Sequence, residues 1–359
     1  MSDMTVKERL LGAIRGKEID RVPWSPFLAY YWEHLPPEIT AQGQVRYMQQ
    51  MGADPLLRGF HTLSNVSYEN CEITTQQKGK QNFETIHTPV GDLTKVFTFS
   101  DTAQSWFLTG HPVQTEEDFK ILQYMMEHAV ITPNPTPFET EAARYGDEAL
   151  FVPSIGIHSK TAFQSLVEHW CGTVDLTYAL YDFPETVEEC LAVMQEKDMQ
   201  TVENALNTSA EIFNFFEDSS TTNISPAFFE KYTLPQIDAW GKRIHKEGKL
   251  LLHHACGHLK DLLPLIAKSE IDVLESISPP PTGNIAIADA VKYLPERIAI
   301  IGGIEPTFFK NSTMEELEAY ASKLLSDMKD RRFVLANSDS CPPGVAYEKF
   351  ELISQLVRR

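Results

Sequence analysis

Beyond residue 210 the chain alternates short apolar runs with longer amphipathic ones, and every apolar run stops in polar residues. Ile212–Phe216 runs into Glu217-Asp218-Ser219-Ser220, and Lys249–Leu252, apolar after its lysine, into His253-His254-Ala255-Cys256-Gly257. Ile271–Leu274 is followed by Glu275-Ser276, and Ile298–Ile301 by Gly302-Gly303-Ile304-Glu305-Pro306. Phe333–Ala336 is followed by Asn337-Ser338-Asp339-Ser340-Cys341. Runs this short, bounded by glycine, proline and polar clusters, predict strands. Between them the pattern predicts helices from Ser225 towards His245, and over Leu259–Lys268, Ala286–Tyr293, Thr313–Met328 and Tyr347–Val357. Pro226 suits a first helical turn, where its missing N–H costs little. Repeated strand–helix units require a parallel sheet covered by helices. No Gly-x-Gly-x-x-Gly follows any strand, so the main argument for an open dinucleotide-binding sheet is absent. Length and repetition favour a (β/α)8 barrel of the TIM type.

The first half reads differently. A helix is expected over Thr5–Ile14, then a strand and loop rich in proline and aromatics to Pro37, then a helix from about Ala41 to Met51. From Leu56 to Ser105, alternating Thr, Asn and Gln positions with the turn Thr88-Pro89-Val90-Gly91-Asp92 predict an antiparallel hairpin or small sheet. Phe138–Tyr145, Ala162–Trp170 and Pro184–Leu206 read as helices and Leu150–Val152 as a strand. The expectation is one α/β barrel domain over residues 1–359, with an N-terminal extension and a β-hairpin insertion at about 60–105.

Composition narrows the partners. The 359 residues carry a formal net charge of −19, which opposes general affinity for nucleic acid or anionic membrane. No apolar run approaches a membrane span, and the mixed-charge N-terminus is not a secretion signal, so a cytoplasmic location is expected. The five cysteines, at 71, 171, 190, 256 and 341, are odd in number and scattered, which does not suit a disulfide framework.

Candidate chemistry gathers at the strand ends. Side chains alternate along a strand, so His254 and Cys256 share a face while His253 takes the other. An imidazole and a thiolate two positions apart are two ligands of a tetrahedral zinc site. In a (β/α)8 barrel the reactive residues sit at the carboxyl ends of the strands, which converge whatever their separation in sequence. Cys341 can therefore supply a third ligand, and Glu217 a carboxylate for the fourth position. Glu217 and Asp218 are the candidate catalytic carboxylates; Glu275 and Asp339 are candidate substrate contacts. A strand-end carboxylate taken singly is more often merely solvated, so the His-Cys-Cys set weighs more. His253 suits a packed core histidine, and His258 a residue that orients a ligand.

Leu251-Leu252-His253-His254-Ala255-Cys256-Gly257, Ile300-Ile301-Gly302-Gly303-Ile304-Glu305-Pro306, and Cys341 before the helix Tyr347–Val357 resemble the uroporphyrinogen decarboxylase superfamily. Within it they resemble the cobamide-dependent methyltransferases. The resemblance implies a zinc motif on His254, Cys256 and Cys341. It also implies methyl transfer between a corrinoid, carried by a partner protein or supplied as free cobalamin, and a small thiol or methylated substrate. True decarboxylases of the superfamily carry an arginine-rich N-terminal motif, whereas Val22–Glu33 here contains no arginine; Ser340-Cys341-Pro342 stands where they have a histidine. The aromatic segment suits a smaller, less anionic ligand, with Trp24 and Tyr30 as candidate contacts. A metal-independent decarboxylase acting on a small carboxylate, or a non-catalytic barrel, are the alternatives.

Overall fold

The apolar runs form one parallel sheet in a computed structural model that describes residues 4–102 and 105–359. Its strands are Leu56–Thr62, Leu150–Ser154, Ile212–Glu217, Leu250–Ala255, Val273–Ile277, Ala299–Ile304 and Phe333–Asn337. Each pairs with the next in that order. The free edge of the last strand is taken by Pro23–Ser25. Ser25 N donates to Leu335 O at 2.9 Å, and Leu335 N donates to Pro23 O at 2.9 Å. Trp24 O in turn accepts from Asp54 N at 2.7 Å, just ahead of the first strand. The sheet is thus a TIM-like curl of seven strands, with the eighth position held by a single parallel bridge, Trp24 to Leu335. Pro23 and Pro26 lack the N–H groups that a longer ladder would need.

Alternation along these strands divides the interior into two layers. Leu56, Val152, Ile212, Leu252, Val273, Ile301 and Val334 pack into one apolar cluster with Leu10, Ala13 and Ile14. The last three lie on the helix Val6–Arg15, whose start is fixed by a reciprocal cap between Thr5 and Glu8. Two residues further along five of the strands, the same faces carry Arg58, Ser154, Asn214, His254 and Glu275, all buried. An apolar floor lies under a polar layer, and that polar layer is where chemistry can be placed.

Several expectations change. Leu56–Thr62 pairs in parallel with Leu150–Ser154 and belongs to the main sheet, not to the antiparallel insertion. A short helix, Ala29–Glu33, replaces part of the expected loop, and another, Pro37–Thr40, begins where that loop ends. The helix expected over Leu259–Lys268 contracts to Leu263–Ile266, because Pro264 fits only a first turn.

The chain divides into two compact units, the first containing the parallel sheet and the second residues 63–134 and 155–207. The second holds the antiparallel sheet Glu72–Lys78, Gln81–Thr88, Gly91–Ser100 and Ser105–Gly110, paired in that order. It also holds the antiparallel pair Ser64–Tyr68 with Ala129–Pro133, and the helices Glu116–Glu127, Gly172–Asp182 and Pro184–Leu206. Among the described residues no helix is long and apolar enough to cross a membrane.

Within the second unit the His158 and His169 rings stack at 4.8 Å beside Trp170. Burial pushes the His158 pKa down to about 3, helped by the neighbouring His169, Lys95 and Lys160. Burial and Lys160 push His169 down to about 4. Both lie below the ordinary 6.5, so the unfolded chain takes up these protons first as pH falls. The stability these neutral rings contribute is complete above about pH 7 and is lost progressively below 6.5. Between pH 7 and 5 each ring is expected to withdraw about 1–2 kcal/mol. His158→Phe should flatten the pH dependence of the urea midpoint by about that much over the same interval; an unchanged slope would contradict the assignment.

Candidate metal centre

His254 stands next to Phe216 on one neighbouring strand and Glu275 on the other. Its Nδ1 lies 2.9 Å from Glu275 Oε2, and Arg58 Nε donates to the other carboxylate oxygen. Burial alone would push the Glu275 pKa up, but the Arg58 charge and the His254 contact outweigh it and hold the group below the usual range. An ionised carboxylate only accepts, so Nδ1 is the donor in this contact and Nε2 is the nitrogen left towards the strand ends.

Nε2 lies 3.9 Å from Asp339 Oδ1. Ligand atoms of His254, Cys256 and Asp339 all fall within 4.8 Å of one another. Around a tetrahedral zinc with bonds near 2.0–2.3 Å, donors sit about 3.3–3.8 Å apart. Bringing the three donor atoms to that spacing would take a movement on the order of 1 Å.

Local backbone chemistry holds each arm. Gly257, at φ +83°, turns the chain immediately after Cys256; a Cβ there would meet Ser220 Cβ at 2.5 Å and Asp218 Oδ1 at 2.9 Å. The Asp339 arm is held by Asn337, whose Oδ1 accepts from Phe27 N and whose Nδ2 donates to Phe27 O, both at 2.9 Å. Nδ2 also donates to Asp339 O. Phe27 and Phe216 stack on each other and flank His254 at 5.6 and 4.9 Å, giving the imidazole apolar walls. A cavity of about 460 Å³ adjoins them, lined in part by Trp32, Gln44 and Gly59.

Residues 111–359 match the family model described as uroporphyrinogen decarboxylase (URO-D). The chain belongs to the uroporphyrinogen decarboxylase family. It is 25% identical over 347 residues to the methylcobamide:CoM methyltransferase MtbA of Methanosarcina mazei, covering 90% of each chain. A solved methyltransferase from Methanosarcina mazei has the same fold, with a TM-score of 0.62 at 14% identity over 99% of this chain and 98% of that one.

On this uroporphyrinogen decarboxylase fold the residues singled out in the sequence fall in different places. His254 and Cys256 come together as the alternation argument expects, and Asp339 joins them as the third member of the group. Cys341 lies outside that group. It is buried two residues further on, with Sγ 3.9 Å from Pro342 O, and burial pushes its thiol pKa well up. Glu217 sits with the opposite-facing histidine: its Oε2 is 3.5 Å from His253 Nε2 and accepts from Ser219 Oγ at 3.0 Å. His253 stacks on Phe215 at 4.4 Å, as a core histidine would. Asp218 accepts from Asn223 Nδ2. His258 donates its backbone N–H to Ser220 Oγ at 3.0 Å. Both oxygens of Glu275 are engaged by Arg58 and His254. Trp24 is fully buried against Phe309, and Tyr30 is exposed, its N–H donating to Ser340 Oγ. Sequence reasoning missed Arg58, Phe27 and Phe216. The available signal for Arg58 was a lone arginine directly after the apolar Leu56-Leu57.

Proposed function

We propose that this chain is a zinc-dependent methyltransferase that moves a methyl group between a corrinoid, on a partner protein or as free cobalamin, and a small thiol or methylated substrate. The observation that carries this reading is the convergence of His254, Cys256 and Asp339 within 4.8 Å at the strand ends. An imidazole, a thiolate and a carboxylate suit zinc, and the Glu275 contact to Nδ1 is the partner that zinc-binding histidines ordinarily have. The likeness to a methylcobamide:CoM methyltransferase supports the same class of reaction.

When bound, zinc supplies Lewis acidity, which lowers the pKa of a substrate thiol or improves the leaving group of a methylated one. The chain's own residues do the rest. His254 and Cys256 would hold the ion, and the Phe27 and Phe216 rings that flank His254 would limit water on that side and strengthen local electrostatics. Cys341 is proposed as the third protein ligand, two residues along the loop from Asp339. Asp339 would then supply a carboxylate to the same site, next to where a substrate heteroatom would bind. Cys341→Ser should lose zinc, whereas Asp339→Asn should keep about one zinc per chain and change turnover. Full zinc in Cys341→Ser with loss in Asp339→Asn would assign the third position to Asp339 instead.

The test of function is the absorbance change of methylcobalamin and cob(I)alamin with a panel of thiols and methylated donors. A chelator should abolish the change and added zinc restore it. Turnover of a carboxylated substrate that is indifferent to the chelator would contradict the proposal.

A further inference from the structure

We propose that Arg58 is a positioning residue of the metal centre, acting through Glu275 to fix which nitrogen of His254 faces the ion. This rests on the zinc reading above. Arg58 and Glu275 side chains are each 1% exposed, so neither serves as a surface charge. The guanidinium is engaged through each of its three nitrogens. Nη1 donates to Leu56 O at 2.9 Å, Nη2 to Ser25 O at 3.4 Å, and Cζ lies 5.0 Å from the Phe27 ring centroid. That leaves Nε for Glu275 Oε1.

Glu275 is equally committed. Oε1 is held by Arg58, and Oε2 accepts from His254 Nδ1 at 2.9 Å. The carboxylate therefore cannot rotate without giving up one of its two partners. The imidazole cannot flip without losing its acceptor. A fixed fork sets a fixed carboxylate, which sets one tautomer and one ring orientation. Without Arg58 the carboxylate is free to turn, and His254 loses the contact that leaves Nε2 turned towards Asp339, 3.9 Å away.

The experiment uses the full-length chain with 15N-labelled histidine, read twice. In metal-free protein, two-bond proton–nitrogen correlations report the His254 tautomer. In a separate series, zinc affinity is measured by competition with a chromophoric chelator. The wild type should show the Nδ1–H tautomer, and Arg58→Met a mixture or the Nε2–H form. Zinc affinity should fall about 10- to 100-fold in Arg58→Met, the usual consequence of removing a group that orients a ligand. Arg58→Lys, which keeps the charge and loses the fork, should recover part of both. In a Glu275→Gln background, Arg58→Met should produce no further loss, because its effect runs through that carboxylate. Should Arg58→Met fail to fold, Arg58→Gln reads the same quantities.

An unchanged tautomer and zinc affinity in a folded Arg58 variant would overturn the inference. So would a loss that adds in full to that of Glu275→Gln. A wild type that binds no zinc would end the functional reading, while the tautomer comparison would still decide the role of Arg58.

Discussion

Cys256→Ser is expected to reduce bound zinc from about one per chain to below about a tenth, and to remove chelator-sensitive methyl transfer with it. The sulfur is the soft donor of the group, and a serine hydroxyl does not ionise to replace a thiolate at neutral pH. The backbone should survive, because Cys256 N already donates to Glu217 O at 3.1 Å and Gly257 supplies the turn. Elemental analysis after reconstitution, paired with circular dichroism, separates lost metal from lost fold. A folded variant with full zinc would remove Cys256 from the site.

Glu275→Ala should be the most destabilising single change in the polar layer. It leaves the Arg58 guanidinium buried without its anion, and breaking a buried ion pair from one side costs about 3–5 kcal/mol. It also strips His254 of its Nδ1 acceptor. Replacing both charges together, as Arg58→Met with Glu275→Leu, should recover much of the loss, because no uncompensated charge then remains. Urea titrations of the two variants check this. A loss below about 1 kcal/mol in the single variant would show that water reaches the guanidinium.

The strands after residue 210 were legible because each is a short apolar run stopped by glycine, proline or polar residues. The strands extend past the apolar runs into the polar residues, to Ala255 beyond Leu252 and to Asn337 beyond Ala336. Leu56–Thr62 was hidden for a physical reason. After Leu57 it continues Arg-Gly-Phe-His-Thr, which resembles the antiparallel strands that follow, and its partner Leu150–Ser154 lies far along the chain. The bridge at Trp24 is too brief to leave a periodic signal. The His254–Cys256 pair follows from the two-residue alternation of a strand, a local rule. Asp339 does not follow from any local rule. The loop carrying it is fixed by hydrogen bonds from Asn337 to Phe27, 310 positions away. Arg58 meets Glu275 across 217 positions, so its role depends on how the sheet curls rather than on any spacing.

Zinc K-edge X-ray absorption of the reconstituted chain reads the metal's ligand set itself. One zinc environment is expected, containing sulfur near 2.3 Å and nitrogen or oxygen near 2.0–2.1 Å. Two sulfurs would be Cys256 with Cys341, and one would be Cys256 with Asp339 completing the protein ligands. A first shell with no sulfur, or a folded chain that takes up no zinc, would contradict the zinc reading.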